Sequence, residues 1–514
     1  MIEYAAENRE YFERLLSRED LDRLPLYTTF NELLLNCREK FADCPAISDM
    51  VNTVTYGELY DRIAKRRRFL YDRGFKKGDN IAVLAPNGLN AMELYMAIPT
   101  SGCVVIMLPA APNALSHEDL VAIIKKFDIK GLFVNPEYRE IAADVPTDVF
   151  DIGQTGEAPA DEACVNPEDT AVICFSVGVT NTNKDSIGPG NPCGVMLSHR
   201  AIMRAAHNGL FVPGNPFGQV TVAILPLSHV FGAIRGLLTC IYTGSLVYAC
   251  EDMSNIVFDI PKMKPTMLTL IPGLAEMILA MAKIKGPEYL EGIETIICGG
   301  AYVQPRLINQ ARSLGINLLC GYGLTEAANI VTGNVDNDKK QDSIGQVYPG
   351  TEVRIENGEL MVRGDVVMKG YYGEAERTAE AITPDGWLHT GDLAEIDDEG
   401  YVHFLGLRKN LIILPNGENL LPQELEGYFM EIPGIRDCRI KEDALRGRPL
   451  VAIEINPDPD YFFGMSEKDI EKALKSAVKE RCETLPSYKA VTKVIVTEEK
   501  LDHDVHDRLI DIVW

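Results

Sequence analysis

Short apolar runs alternating with amphipathic stretches constrain this chain more than any other feature. From Tyr56 to Tyr71 the apolar positions Leu59, Ile63 and Leu70 fall near helical spacing, which predicts an amphipathic helix. Lys77-Gly78-Asp79-Asn80 makes a turn before Ile81–Leu84, a short apolar strand. Met92–Ser101 reads as the next helix and Cys103–Leu108 as a buried strand, with Ala171–Phe175, Val220–Leu225, Thr266–Ile271 and Thr295–Cys298 as further buried strands. Strands alternating with helices specify an α/β class built as layers around a mainly parallel sheet.

Past Gly345 the texture changes. Val353-Arg354-Ile355, Glu359–Val362 and Tyr401–Leu405 are short strands set between Gly- or Asp-rich turns, the pattern of a small β-rich subdomain. A helix near Pro422–Met430, a strand near Leu450–Ile455 and a helix near Asp469–Arg481 then make a separate α+β unit. The 514 residues exceed the roughly 250–300 that one core supports. The expected division is a large N-terminal domain over 1–406, a hinge over 407–411 and a small mobile C-terminal lid over 412–514.

Lys plus Arg is 50 and Asp plus Glu is 75, a formal charge of −25. Such a surface disfavours nucleic acid and anionic lipid as partners, so any polyanion site must be locally basic. No run approaches the ~18 apolar residues of a membrane span, and the acidic start Met1–Glu7 is unlike a signal peptide. The 12 cysteines lack paired metal-site or disulfide-framework spacing, so reduced thiols and a cytoplasmic location are expected.

The chemistry lies in an ordered series of motifs. Ser176-Val177-Gly178-Val179-Thr180 follows a predicted strand, and Gly190-Asn191-Pro192-Cys193-Gly194 closes the loop. Then come Leu225-Pro226-Leu227-Ser228-His229, Cys298-Gly299-Gly300-Ala301, Gly321-Tyr322-Gly323-Leu324-Thr325-Glu326, Trp387-Leu388-His389-Thr390-Gly391-Asp392 and the stretch Asn410–Glu426. This series resembles the adenylate-forming superfamily of acyl-CoA synthetases, luciferases and peptide-synthetase adenylation domains, from roughly Tyr56 onward. The resemblance implies ATP-dependent activation of a small-molecule carboxylic acid to acyl-AMP. Transfer to the thiol of CoA or of carrier-protein phosphopantetheine follows, with Mg²⁺ as cofactor.

Activation brings two anions together, so the site must cancel charge. A strand–loop rich in Gly and hydroxyls can turn N–H groups toward phosphate oxygens; Ser176, Gly178 and Thr180 are the candidates, an ordinary surface turn the alternative. By resemblance, Tyr322 stacks on adenine beside Gly323, Thr325 bonds the α-phosphate, and Glu326 ligates Mg²⁺. Gly299, Gly300 and Ala301 pass close to adenine and the acyl group. Asp392 resembles the family's ribose-binding carboxylate, an acceptor-only group that takes both hydroxyls, with a turn-capping Asp as the alternative. His229 lies beside the acyl channel or is simply a structural histidine, and Asn410 occupies the hinge. Asn416-Gly417-Glu418-Asn419 approaches the thiol tunnel or is a plain hairpin turn.

The departures from the pattern concentrate on ATP charge. Val177 and Val179 replace hydroxyl residues, Asn181–Pro189 is inserted, and Cys193 stands where Lys belongs; Lys184 within the insertion is a possible substitute. Leu407 holds the place of a ribose-contacting Arg, with Arg408 next door, and Asp507-Arg508 replaces a terminal Gly-Lys. Arg508 keeps the charge but not the point geometry of an ammonium. Two readings follow: an acid–thiol ligase, or a repurposed adenylate-forming fold that binds nucleotide, acyl group or a partner protein without catalysis.

Overall fold

The computed structural model describes residues 3–111, 114–176, 192–252, 255–336, 340–408, 412–413, 419–420, 422–445, 448–485, 490–497 and 501. The expected helix at Tyr56 forms as Tyr56–Asp72, started by a capping box in which Thr55 and Glu58 bond each other's backbone N–H groups. The following strand, Asn80–Leu84, is buried at every position. Burial on both faces is why it reads as a continuous apolar run rather than an alternating one.

That strand lies in a seven-stranded sheet, ordered Gly370–Tyr371, Cys193–Ser198, Thr170–Ser176, Val104–Leu108, Asn80–Leu84, Ile129–Val134, Asp148–Asp151. The inner pairings are parallel; Cys193–Ser198 runs antiparallel to Thr170–Ser176 and carries the site edge. A five-stranded sheet follows the order Met267–Leu270, Thr295–Cys298, Asn317–Tyr322, Thr332–Asn334, Gln346–Val347. Its first three strands are parallel and in register, so Cys298 and Cys320 end side by side and the glycine loops after them leave from one edge.

The β-rich subdomain is an antiparallel sheet of Thr351–Glu356, Glu359–Gly364, Leu388–Ile396 and Val402–Leu407, completed by the N-terminal strand Glu3–Ala5. Glu3 pairs with Ile355 and Ala5 with Val353. Beyond residue 411, Ile435–Leu445, Arg448–Pro457 and Lys493–Val496 form a three-stranded sheet against the helices Pro422–Met430 and Glu467–Cys482. Leu425, Phe429, Ile453, Leu474 and Val478 are buried together there in a core of their own. No helix among the described residues is long and apolar enough to cross a membrane.

Candidate active site

The strand Asn317–Tyr322 delivers its last residue to an open cleft. Gly299, Gly300, Gly321, Tyr322 and Gly323 line one part of it; Phe231, Arg235, Val335 and Tyr348 line another. The glycines are steric requirements. A Cβ on Gly323 would lie 2.0 Å from the Asn329 carbonyl oxygen, and one on Gly321 would lie 2.7 Å from that of Thr332. Gly300 has φ +84°, in the left-handed region that disfavours a side chain.

After Gly323 the chain makes a tight turn, Thr325–Ala327, closed by Ala328 and Asn329 at φ 45° and 64°. Two consecutive non-glycine residues in the left-handed region are a strained arrangement of the kind found at functional sites. The turn buries Glu326 and leaves Thr325 half-buried, its hydroxyl without a hydrogen bond among the described residues. The Met368 N–H bonds the Glu326 carbonyl at 2.8 Å, tying this turn to the edge strand Gly370–Tyr371.

The Glu326 carboxylate accepts from the Tyr371 hydroxyl at 3.1 Å. Burial raises its pKa; its own backbone N–H, the Tyr371 and Ser176 hydroxyls and the charge of Arg377 pull it back down. Ser176 ends the strand Thr170–Ser176 and is itself buried; its hydroxyl lies near enough to act on Glu326 but has no hydrogen-bond partner within 3.5 Å among the described residues. Among the described residues no set of three or more His, Cys, Asp and Glu is arranged for a metal. The Glu326 carboxylate is nevertheless a hard oxygen donor of the kind that fits Mg²⁺, which takes one or two protein carboxylates and completes its shell with phosphate oxygens and water.

Tyr322 and Asp392, 70 residues apart, meet directly: the phenol donates to the Asp392 carboxylate. Burial first, and then the Asp392 charge, push the phenol pKa well up, so Tyr322 remains a donor. Asp392 is further fixed by its N–H, which bonds Thr390 Oγ1 at 3.1 Å. Its direct neighbour across the strand pair is Leu407, which is buried. Arg408 is engaged elsewhere, with Nη1 at 2.6 Å from the Glu359 carboxylate.

Cys193, at the loop's closing end, is buried, and burial pushes its thiol up to about 12. It is a neutral group where a lysine was expected. Cations reach this corner from elsewhere in the chain: Lys126 Nζ lies 3.0 Å and Arg377 Nη1 3.3 Å from the Glu374 carboxylate, whose Oε2 is 4.0 Å from the Cys193 sulfur. His229 is held neutral, its pKa lowered by burial to about 4, and its Nε2 has no hydrogen-bond partner among the described residues.

A family model described as AMP-binding enzyme matches residues 36–372, well over half of the chain. The chain belongs to the AMP-binding enzyme family. This AMP-binding protein is 28% identical over 413 residues to a feruloyl-CoA synthase of Amycolatopsis sp, covering 75% of this chain and 80% of that one. It is 27% identical over 476 residues to a long-chain-fatty-acid–CoA ligase of Salmonella typhimurium, covering 80% and 82%. In structure it superposes on ATP-bound MatB from Rhodopseudomonas palustris with a TM-score of 0.77 at 23% identity, over 93% of this chain and 96% of the other. The adenylate-forming fold expected from the motifs is the fold observed.

The structure thus brings together Gly299, Gly300, Tyr322 and Gly323 in one cleft, joins Asp392 to it, and sets Ser176 near Glu326. Ala301 follows directly at the turn, half-buried. Gly178, Thr180, Lys184, the inserted segment, Asn410, the loop residues 416–418 and Arg508 lie outside the described residues, while Asn419 begins the short strand Asn419–Leu420. Tyr371, Arg377, Lys126 and Arg235 were not singled out from the sequence. Lys126 and Tyr371 reach their places through contacts with Glu374 and Glu326, 248 and 45 residues away, that local spacing does not encode.

Proposed function

We propose that this AMP-binding enzyme activates a carboxylic acid with ATP as its acyl-adenylate, releasing pyrophosphate, and then passes the acyl group to the thiol of CoA. The observation that supports this best is the Tyr322–Asp392 hydrogen bond, which joins two long-separated motifs at the cleft. Tyr322 offers its ring to adenine, and the glycine backbones at 299–300 and Ala301 allow close approach of nucleotide and acyl group. Asp392 accepts from ribose hydroxyls as an acceptor-only group. The Thr325 hydroxyl donates to the α-phosphate.

Glu326 would hold Mg²⁺, which supplies charge neutralisation at the phosphates when bound. Arg508 would bring a positive charge to the carboxylate and α-phosphate, and the unit after residue 411 would act as the lid, turning at Asn410 between the two half-reactions. Lys126 and Arg377 compensate for the neutral Cys193 beside the Ser176 strand. Excluding water during adenylation and admitting a thiol afterwards needs two arrangements of one pocket, which a mobile small domain provides.

Purified full-length protein given ATP, Mg²⁺ and pooled carboxylic acids is expected to release pyrophosphate and, on addition of CoA, to form an acyl-CoA. Nucleotide binding with no pyrophosphate from any acid would leave only the binding fold. Acyl-AMP that accumulates with CoA present but is discharged onto a phosphopantetheinyl carrier protein would assign the thiol to a carrier.

A further inference from the structure

We propose that Arg235 reads a second negative charge on the acid, so that the preferred substrate is a dicarboxylic acid rather than a plain monocarboxylate. The inference rests on the ligase reading above and narrows its substrate class. Arg235 sits in Gly232–Leu238, a stretch wound as π-helix in which every residue is buried. Such segments are rare and are often found at functional sites. Its side chain is only 4% exposed, and it lines the same cleft as Gly299, Gly300 and Tyr322. Nη1 is fully enclosed without a hydrogen-bond partner, and among the described residues the guanidinium makes no hydrogen bond or ion pair.

Other buried arginines show how this chain satisfies such a group. Arg66, 1% exposed, bonds the Glu93 carboxylate and the Ile152 and Gln154 carbonyls. Arg67, equally buried, bonds the Ala160 carbonyl, Thr100 and Glu162. Arg235 has no counterpart to these partners. Among the described residues no Asp or Glu lines the cleft, Asp392 meeting it only through the Tyr322 phenol, and the ionisable groups that act on Arg235, Tyr348 and Cys240, are themselves kept neutral by burial.

A cation removed from water and left unpaired is costly in the free protein, so a ligand carrying a carboxylate would satisfy it on binding. The guanidinium fork matches a carboxylate in two parallel hydrogen bonds. The nucleotide phosphates are the alternative anion, but Ser176, Thr325 and Glu326 do not line the cleft with Arg235. The guanidinium itself is accommodated by Gly209, where a Cβ would fall 2.7 Å from Arg235 Nη1.

Pyrophosphate release by the full chain is measured with acids matched in length: glutarate against pentanoate, adipate against hexanoate, terephthalate against 4-methylbenzoate. In at least one pair the diacid is expected to lead in kcat/KM by about 100-fold or more, because the competitor leaves the cation unpaired. Arg235→Leu should reverse that preference and raise the thermal midpoint of the free protein, while Arg235→Lys should retain part of it. Preference for the monoacid in every pair would overturn the assignment, as would an Arg235→Leu variant of lower midpoint and unchanged preference. If no acid at all releases pyrophosphate, the ligase reading fails separately. Arg235 is then judged by thermal shift: a diacid that raises the wild-type midpoint but not that of Arg235→Leu supports the anion site, and no shift with any diacid sinks it.

Discussion

Tyr322 and Glu326 are four residues apart and solve opposite problems. Tyr322 is a neutral donor held against the Asp392 carboxylate, whereas Glu326 is an acceptor buried under the Tyr371 hydroxyl. A hydrogen bond to a charged group contributes about 1.5–3 kcal/mol. Tyr322→Phe keeps the ring and loses that bond, so the KM for ATP should rise by roughly tenfold or more with a smaller change in kcat. An unchanged KM in steady-state kinetics would show that Asp392 is positioned without the phenol. Glu326→Gln preserves an acceptor for Tyr371 and removes the charge. It should cut kcat by about 100-fold or more and weaken the dependence on Mg²⁺ concentration, with circular dichroism unaltered. Full activity in that variant would remove Glu326 from the phosphate site. Cys193, by contrast, is a residue whose departure from pattern is legible in the sequence while its surroundings are not. Lys126 and Arg377, both paired with the Glu374 carboxylate beside it, come from 67 residues before and 184 residues after.

Among elements, what the sequence made readable is what hydrophobic period encodes. The helix from Tyr56, the strand Thr295–Cys298 and the helix Pro422–Met430 lie where the apolar spacing places them. The strand Glu3–Ala5 has three residues and no period of its own; it exists because the edge of Thr351–Glu356, some 350 residues on, needs a partner. The π-helical turn at Gly232–Leu238 is equally silent, since an all-buried run has no polar face to mark its winding. The strand pair Leu388–Ile396 and Val402–Leu407 ties element to site, because directly opposed residues share one face and Leu407 opposes Asp392. Leu407→Arg would set a guanidinium beside that carboxylate in place of a buried apolar side chain. The expected result is a lower KM for ATP together with a loss of about 1–3 kcal/mol in stability. Chemical denaturation and ATP kinetics on the same variant check both, and a KM that does not fall would show that the strand pair presents position 407 away from the nucleotide.

At the scale of the whole molecule, the large domain encloses imidazoles that folding forbids to ionise. His199, His207 and His229 are each lowered by burial from 6.5 to about 4. His199 is 1% exposed and its Nδ1 accepts the Phe30 N–H at 3.4 Å, a bond the doubly protonated ring cannot make. The unfolded chain binds protons at these positions below about 6.5, whereas the folded chain resists until about 4. Protons therefore favour the unfolded state between those limits, so stability rises with pH across the window and falls as pH drops through it. At ~1.4 kcal/mol per pKa unit, His199 alone contributes about 3 kcal/mol of acid sensitivity. The acidic surface works the other way, because its mutual repulsion eases as protons bind; the buried groups are thus isolated only by difference. Urea midpoints measured from pH 7.5 to 4.5 should fall more steeply for the wild type than for His199→Gln, whatever the absolute stability of the variant. Parallel curves would mean that the imidazole gains its proton without unfolding, and that the contact between the helix Phe30–Phe41 and the helix His199–Asn208 opens locally in acid.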